Sequence, residues 1–404
     1  MPAHLTRGLL AGAALLTTAL HGLTALAAPL CSSLPNTLYL QVGDTQEPLM
    51  KALGKQLRKS QVNPITIVYK TSGSCTNIDA MYTGTKLTTN PFYIPSAAED
   101  PAWDPSKPTP QCTVDPAGVT LDVVNSNVFV SACTQTPAPA GVGTFQGPVQ
   151  PYVFVVPKAS TQTSITAEEA YFVFGFGAAG KAEPWTAEAF FFIRTPTKST
   201  LLSMAAAIGV PAAKWKGVAY DKSTEVLNAV AMSASPEKTI GILGAEIYDA
   251  HRDTMSALAY RAFEQNHGYY PDSRATAIDK QNVRDGHYTI WSPTVYLAPV
   301  GAQGVIKNAR ARYVVDLILA RTAAPAPDFD PLATVISRGL VPDCAMKVTR
   351  SFEAGDLSLY TPAEPCGCFY ESKVGGPSAS CKTCANDAAC GGSNKCRHGF
   401  CEAH

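Results

Sequence analysis

Between residues 37 and 347, short apolar β-rich runs alternate with helix-patterned segments, and this alternation constrains the fold more than any other feature. "TLYLQVGDT" reads as a strand and turn, followed by a helix over residues 48–59. "ITIVYKTSGSCTNIDAMYTG" repeats the plan: a strand over 65–69, a Ser/Gly turn, and a helix to Gly84. "LDVVNSNVF" and "QPYVFVVPK" give a third and a fourth strand. "TAEEAYFVFGFG" is a helix with Thr166 as N-cap and Glu169 at the capping-box position. "AFFFIRTPTKSTLLSMAAAIG" is a strand, a cationic turn rich in hydroxyls, and a helix closed by Gly209. "STEVLNAVAMSASPEKTIGILG" is a helix, a break at Pro236 and a strand. "TMSALAYRAF", "NVRDGHYTIWSPTVYLAPV" and "VIKNARARYVVDLILARTA" complete the body as strand, helix plus strand, and helix. The order predicts an α/β fold, a mostly parallel sheet covered by helices. The Pro-rich residues 91–116 read as a long surface loop.

Lys+Arg and Asp+Glu both number 32. The resulting zero net charge argues against a nucleic-acid partner, which selects a basic surface. Residues 1–27 carry His4 and Arg7, an apolar run from Leu9 to Leu20, and Ala25-Leu26-Ala27. This is the layout of a secretory signal, and the run is shorter than the ~20 residues that span a bilayer. Leu30 before Cys31 does not fit a lipid-attachment site, so the expected mature chain starts near Ala28. Export makes disulfides the expected state of the twelve cysteines. Four lie early (Cys31, Cys75, Cys112, Cys133) and eight lie from Cys344 onward. Cys112 and Cys133 flank the third strand, which predicts a Cys112–Cys133 disulfide tethering the Pro-rich loop and leaves Cys31 for Cys75.

Ligands of open parallel sheets bind at the C-terminal strand ends. Three strand ends lead through small polar residues straight into a helix: Gly43-Asp44-Thr45, Thr71-Ser72-Gly73-Ser74, and the turn from Thr195 to Thr200. A helix N-terminus presents unpaired N–H groups and a positive dipole end. Hydroxyls add donors, and Arg194 adds a planar fork suited to oxyanions. The same turns also suit ordinary helix capping, since Ser and Thr are good N-caps.

The order of these parts resembles the phosphate-binding proteins of bacterial ABC transporters, within the type 2 periplasmic binding proteins. The likeness runs over residues 37–347. "VGDTQEPLMKAL" looks like the family's Gly-x-Thr loop, "TSGSCTNIDAM" its Ser-Gly loop, and "VVNSNVF" its Ala-Ser-Asp-like turn. "IRTPTKST" looks like a degraded Arg-x-x-x-Ser-Gly-Thr turn. "KTIGILGAEIY", "RDGHYTIWSPTVYLAPV" and "ATVISRGLVP" resemble the return strand, the segment before the last crossing and the C-terminal end. The resemblance implies two lobes joined by crossing strands and closing on a ligand: lobe one from 37–147 and 244–347, lobe two from 148–243. It implies a ligand set of Thr45, Ser72, Ser74, Asn127, Arg194, Lys198, Ser199 and Thr200, for a small inorganic oxyanion such as phosphate, no cofactor, and an ABC permease as partner. The chain departs from the family's pattern at Asn127, where Asp is usual, at Ser199 for Gly, at Lys198 for Ser, and at Pro196, where an acid is common. Asp44 is a neighbour able to supply the missing acceptor.

Residues 348–404 hold seven cysteines and few apolar residues. A module of this kind relies on cross-links. Export favours disulfides there over zinc at Cys381-Lys382-Thr383-Cys384 and His398. Its connectivity does not follow from the sequence. The module reads as an addition to the binding fold, so a chain ending after Lys347 is expected to fold alone. G-x-S-x-G, H-E-x-x-H and P-loop motifs are absent from the sequence, which argues against an enzyme. Two readings follow. One is an exported, periplasmic or surface solute-binding protein. The other is a cell-surface or extracellular interaction protein that keeps the fold as a scaffold, with the tail engaging a cell-envelope partner.

Overall fold

The computed structural model describes residue 1 and residues 28–376, 378–392 and 394–402. The signal-like segment, apart from Met1, lies outside the described residues. The strands of the body are β1 (Thr37–Gly43), β2 (Thr66–Ser72), β3 (Phe92–Tyr93), β4 (Val123–Ser126), β5 (Val142–Pro157), β6 (Ser164–Thr166), β7 (Phe191–Arg194), β8 (Val218–Tyr220), β9 (Ile240–Gly244), β10 (Met255–Ala257), β11 (Ala259–Arg261) and β12 (Trp291–Pro299). The helices are α1 (Glu47–Lys59), α2 (Ser74–Thr83), α3 (Ala167–Phe176), α4 (Ser199–Ile208), α5 (Ser223–Ala231), α6 (Ala245–Asp249), α7 (Gln281–Arg284), α8 (Ala309–Ile318), α9 (Pro331–Ile336) and α10 (Gly367–Val374).

The main sheet runs β3-β2-β1-β4-β12-β5-β9-β7-β8, with β10 beside β5. β2, β1 and β4 are parallel, as are β9, β7 and β8. Between these two parallel sets lie β12 and β5, antiparallel to each other and to their outer neighbours. They are the crossing strands of a two-lobe α/β fold. The first part of β5 pairs with β12 from Val142 to Pro151, and the part from Tyr152 onward pairs with β9 and β10. β12 makes the return crossing. Its Trp291 packs in the core of the second lobe and its Tyr296 and Ala298 in that of the first.

Local sequence explains the elements. α1 buries Leu49, Met50, Leu53 and Leu57 on one face against Leu38, Leu40 and Ile67 of the sheet. Each such burial contributes about 2 kcal/mol. Residues 152–156 of β5 are apolar without alternation and fully buried, as a central strand covered on both faces requires. α3 carries the full capping box: the Glu169 N–H donates to Thr166 Oγ1 and the Thr166 N–H to Glu169 Oε2. α4 ends at Gly209, whose φ of 69° is left-handed backbone that glycine adopts freely.

Several expectations are corrected. β5 begins eight residues before the apolar run that announces it, because Gly143, Gly147 and Pro148 hide its first half. The chain from Met255 to Trp291, expected in the first lobe, pairs with β5 and β6 and packs in the second-lobe core. The expected Cys112–Cys133 and Cys31–Cys75 bonds are replaced by Cys31–Cys112 and Cys75–Cys133. The N-terminal segment lies along the end of the Pro-rich loop, with the Cys31 N–H donating to Thr113 O at 2.9 Å, so the loop is tied there. Cys133 follows β4 and meets α2 instead.

The C-terminal module is closed by Cys344–Cys366, Cys368–Cys381, Cys384–Cys396 and Cys390–Cys401. It is not a free appendage. Cys366, Phe369 and Tyr370 belong to the second-lobe core. Arg284 pairs with Glu371 at 3.1 Å and lies over the Tyr370 ring. Among the described residues, no helix is long and apolar enough to cross a membrane.

Candidate functional site

β1, β2 and β4 end side by side on the first lobe, and β7 and β8 end opposite them on the second. Their loops meet. A methyl group built on Gly73 would lie 3.0 Å from both the carbonyl and the hydroxyl oxygen of Thr197. Glycine is needed there for the two backbones to approach so closely. α2 and α4, ten residues each, open at this junction, and neither N-terminus is capped by a side chain. The Asn77 and Leu202 N–H groups bond to Gly73 O and Lys198 O. The N–H groups of the first three residues of each helix have no intrahelical acceptor.

Thr45, Ser74 and Asn127 form one connected group on the first lobe. The Asn127 N–H donates to Ser74 Oγ at 3.0 Å, and the Asn127 amide Nδ2 donates to Thr45 Oγ1. Tyr152 from β5 donates its phenol to Asn127 O at 2.5 Å. Burial pushes that phenol well above its ordinary pKa, while the Ser199 hydroxyl pulls it down and the Glu353, Glu246 and Asp44 carboxylates add to the rise. Asn127 Oδ1 is buried with no partner among the described residues. Ser72 sits half-buried at the end of β2. On the second lobe Ser199 and Thr200 open α4. Thr200 is 0% exposed and its hydroxyl has no partner among the described residues.

The two cations of the expected set are differently placed. Arg194 is fully buried and every arm of its guanidinium is engaged. Nη2 donates to both Asp44 oxygens, at 3.1 and 2.9 Å, and to Asp221 O at 2.7 Å. Nε donates to Tyr220 O, and Nη1 to Ser223 Oγ. The Ser223 N–H and Oγ also donate to Asp44 Oδ2, at 3.0 and 2.9 Å. Asp44 of the first lobe therefore docks in a cradle of the second, built from Arg194 and the N-terminus of α5. Burial pushes the Asp44 carboxyl up, but Arg194, the Ser223 N–H and Lys198 outweigh it and hold the pKa below the ordinary value. Lys198 turns to Asp221 at 3.0 Å, an exposed carboxylate of its own lobe.

Sequence reasoning missed Ser223, Tyr152, Glu246 and Glu353. Lys222-Ser223-Thr224 carries the same signal as the other turns, hydroxyls between a strand and a helix. Nothing local marks the others. Glu246 folds back over Gly244 at the start of α6, and among the described residues no donor sits in full hydrogen-bond geometry to its oxygens, its own N–H and the Gln150 amide being only near them. Burial pushes its pKa up to about 8, its own N–H and the Gln150 amide pull it down, and Asp44 and Asp249 push it further up. Glu353 comes from the C-terminal segment. It accepts from the Phe129 N–H at 3.0 Å and from Ser292 Oγ at 2.8 Å, and Ser292 Oγ in turn accepts from the Ser203 hydroxyl of α4 at 3.1 Å. This carboxylate thus touches a first-lobe loop and a crossing strand, and reaches a second-lobe helix through Ser292.

No protein-family profile matches the chain. No curated protein sequence matches it. Solved structures do. A protein from Clostridium perfringens, solved with bound phosphate and assigned as a phosphate ABC transporter substrate-binding protein, matches over 76% of this chain and 99% of its own at 12% identity, with a TM-score of 0.52. An ABC-type phosphate transport receptor from Vibrio cholerae matches over 75% of this chain and 99% of its own at 10% identity, with a TM-score of 0.47. PstS from Borrelia burgdorferi matches over 76% and 98% at 12% identity, with a TM-score of 0.41. The first of these likenesses supports the two-lobe binding fold and nothing finer.

Proposed function

We propose that this protein is an exported solute-binding protein, not an enzyme, that holds a small phosphate-like oxyanion between the N-termini of α2 and α4. The observation that carries the reading is Thr200, a fully buried hydroxyl without a partner among the described residues, at the uncapped start of a ten-residue helix. Leaving such a group unpaired costs about 1–3 kcal/mol, and an anion at the junction would satisfy it together with the open N–H groups. Thr45, Ser72, Ser74, Asn127, Ser199 and Thr200 are the ligand groups of this reading. Lys198 contributes long-range attraction. Arg194 acts indirectly, by fixing the closed position of Asp44. An ABC permease is the partner that the fold's likeness suggests.

Titration calorimetry of the mature protein with phosphate and with sulfate tests it. Binding is expected for the wild type, with a loss of roughly tenfold in Thr200→Val, about one hydrogen bond. Absence of heat for both anions overturns it. One observation favours a second reading, a scaffold whose C-terminal module engages an envelope partner: Asp44 already fills the Arg194 cradle. Retention on cells that disappears when the module is deleted, with no anion binding, would support that reading.

A further inference from the structure

A groove of about 630 Å³ opens between the lobes beside the Asp44–Arg194 pair. Its walls are apolar where Pro48, Phe92, Pro105 and Ile247 face it. Its charges are unequally matched. Of its acids, Asp44 is held by Arg194 and Ser223. Glu47 accepts from the Tyr69 phenol at 2.8 Å and pairs with Lys51 at 3.3 Å. Of its bases, Arg338 and Lys222 have no ion-pair partner among the described residues. Among the described residues, the one side-chain acceptor of Arg338 is the neighbouring Ser337 hydroxyl, at 3.2 Å. Burial holds the pKa of this guanidinium below its ordinary value, and no carboxylate opposes that effect. A half-buried guanidinium without an anion has a planar donor fork free for one.

We propose that this groove is a binding site for an amphipathic organic anion, whose phosphate or carboxylate head is held by the Arg338 guanidinium and whose apolar body lies against Phe92, Ile247 and the prolines. An inorganic oxyanion has no body for these walls. The site is separate from the α2–α4 junction and does not rest on the oxyanion reading. Arg338 receives the head in a two-pronged contact, and Lys222 adds attraction from the start of α5. The prolines offer walls that lose little conformational entropy on binding.

Calorimetry of the full mature chain with phenyl phosphate, benzoate and inorganic phosphate tests the proposal. Binding of phenyl phosphate, benzoate or both is expected, and which of them binds fixes the head. Arg338→Ala should weaken the organic anion about tenfold or more. Arg338→Lys should lose less, and Thr200→Val should leave the organic anion unchanged. Inorganic phosphate should be indifferent to Arg338→Ala. Circular dichroism and the melting temperature of Arg338→Ala should match the wild type. The proposal is overturned if neither organic anion binds, or if Arg338→Ala leaves the affinity within twofold. If phenyl phosphate binds through Arg338 and inorganic phosphate does not bind at all, the groove stands and the oxyanion reading falls.

Discussion

Asn127 sets the anion preference on the oxyanion reading. A carboxylate at that position accepts a proton-bearing phosphate and repels sulfate. The amide repels neither, because it can present oxygen or N–H₂, and its partner Thr45 can donate as readily as accept. Asp44 does not restore the acceptor, since both of its oxygens are bound by Arg194 and Ser223. Phosphate should therefore be preferred over sulfate by no more than about tenfold, roughly one net hydrogen bond. Asn127→Asp should sharpen that preference in competitive calorimetry. Glu246 governs a pH effect. Its folded pKa of about 8 is above the ordinary 4.5, so the folded state holds a proton that the unfolded state releases between these values. The stabilisation is complete below 4.5 and declines as pH rises to about 8, at roughly 1.4 kcal/mol per unit. Glu246→Gln mimics the protonated form and should flatten the melting temperature between pH 5 and 8. Asp44 acts in the opposite sense: its lowered pKa adds stability that is lost as pH falls below its ordinary 3.8.

At the scale of elements, the strand-to-helix turns were legible because their chemistry is local: a β-branched run, small polar residues, then a helical pattern. The ten-residue α4 with Gly209 behind it follows from such a run. The start of β5 was not legible, because glycine and proline break its pattern and only pairing with β12 makes it a strand. Four equivalent cysteines leave their pairing to the fold. The C-terminal module misled in another way. Its apolar residues are few, yet two of them, Phe369 and Tyr370, are buried in the body's core. A chain ending after Lys347, with Cys344→Ser, should consequently melt well below the full protein. Loss of the two aromatic side chains alone would cost about 3–5 kcal/mol each. Scanning calorimetry of the two proteins checks this, and equal melting temperatures would show the module to be separable.

The whole molecule is held closed by contacts between residues distant in sequence. Asp44 and Arg194 are 150 positions apart, and Phe129 and Glu353 are 224 apart. No local pattern announces such partners, which is why the strand ends could be read as a site while the engagement of Arg194 could not. The Asp44 contact should act as a latch. Asp44→Ala leaves the buried Arg194 without its counter-charge, and loss of one partner of such a pair typically costs 3–5 kcal/mol. The cleft should open, and small-angle X-ray scattering should record a larger radius of gyration than for the wild type. An unchanged radius would mean that the Glu353 contact and the crossing strands suffice.

The path of the chain through β5 and β12 also orders events during synthesis. The first lobe begins with β1, is interrupted once β5 crosses over, and regains its last sheet strand only when β12 emerges. The strands of the second lobe lie between these crossings in one uninterrupted stretch. A ribosome delivering the chain from its N-terminus thus releases β1 to β4, which must wait for β12, while the later sheet can assemble as it appears. Contacts over such separations are slow to form. The nascent β4 edge stays open until Val295 to Leu297 arrive to pair with it. This interval is when the newborn chain is most exposed to pairing with a neighbour.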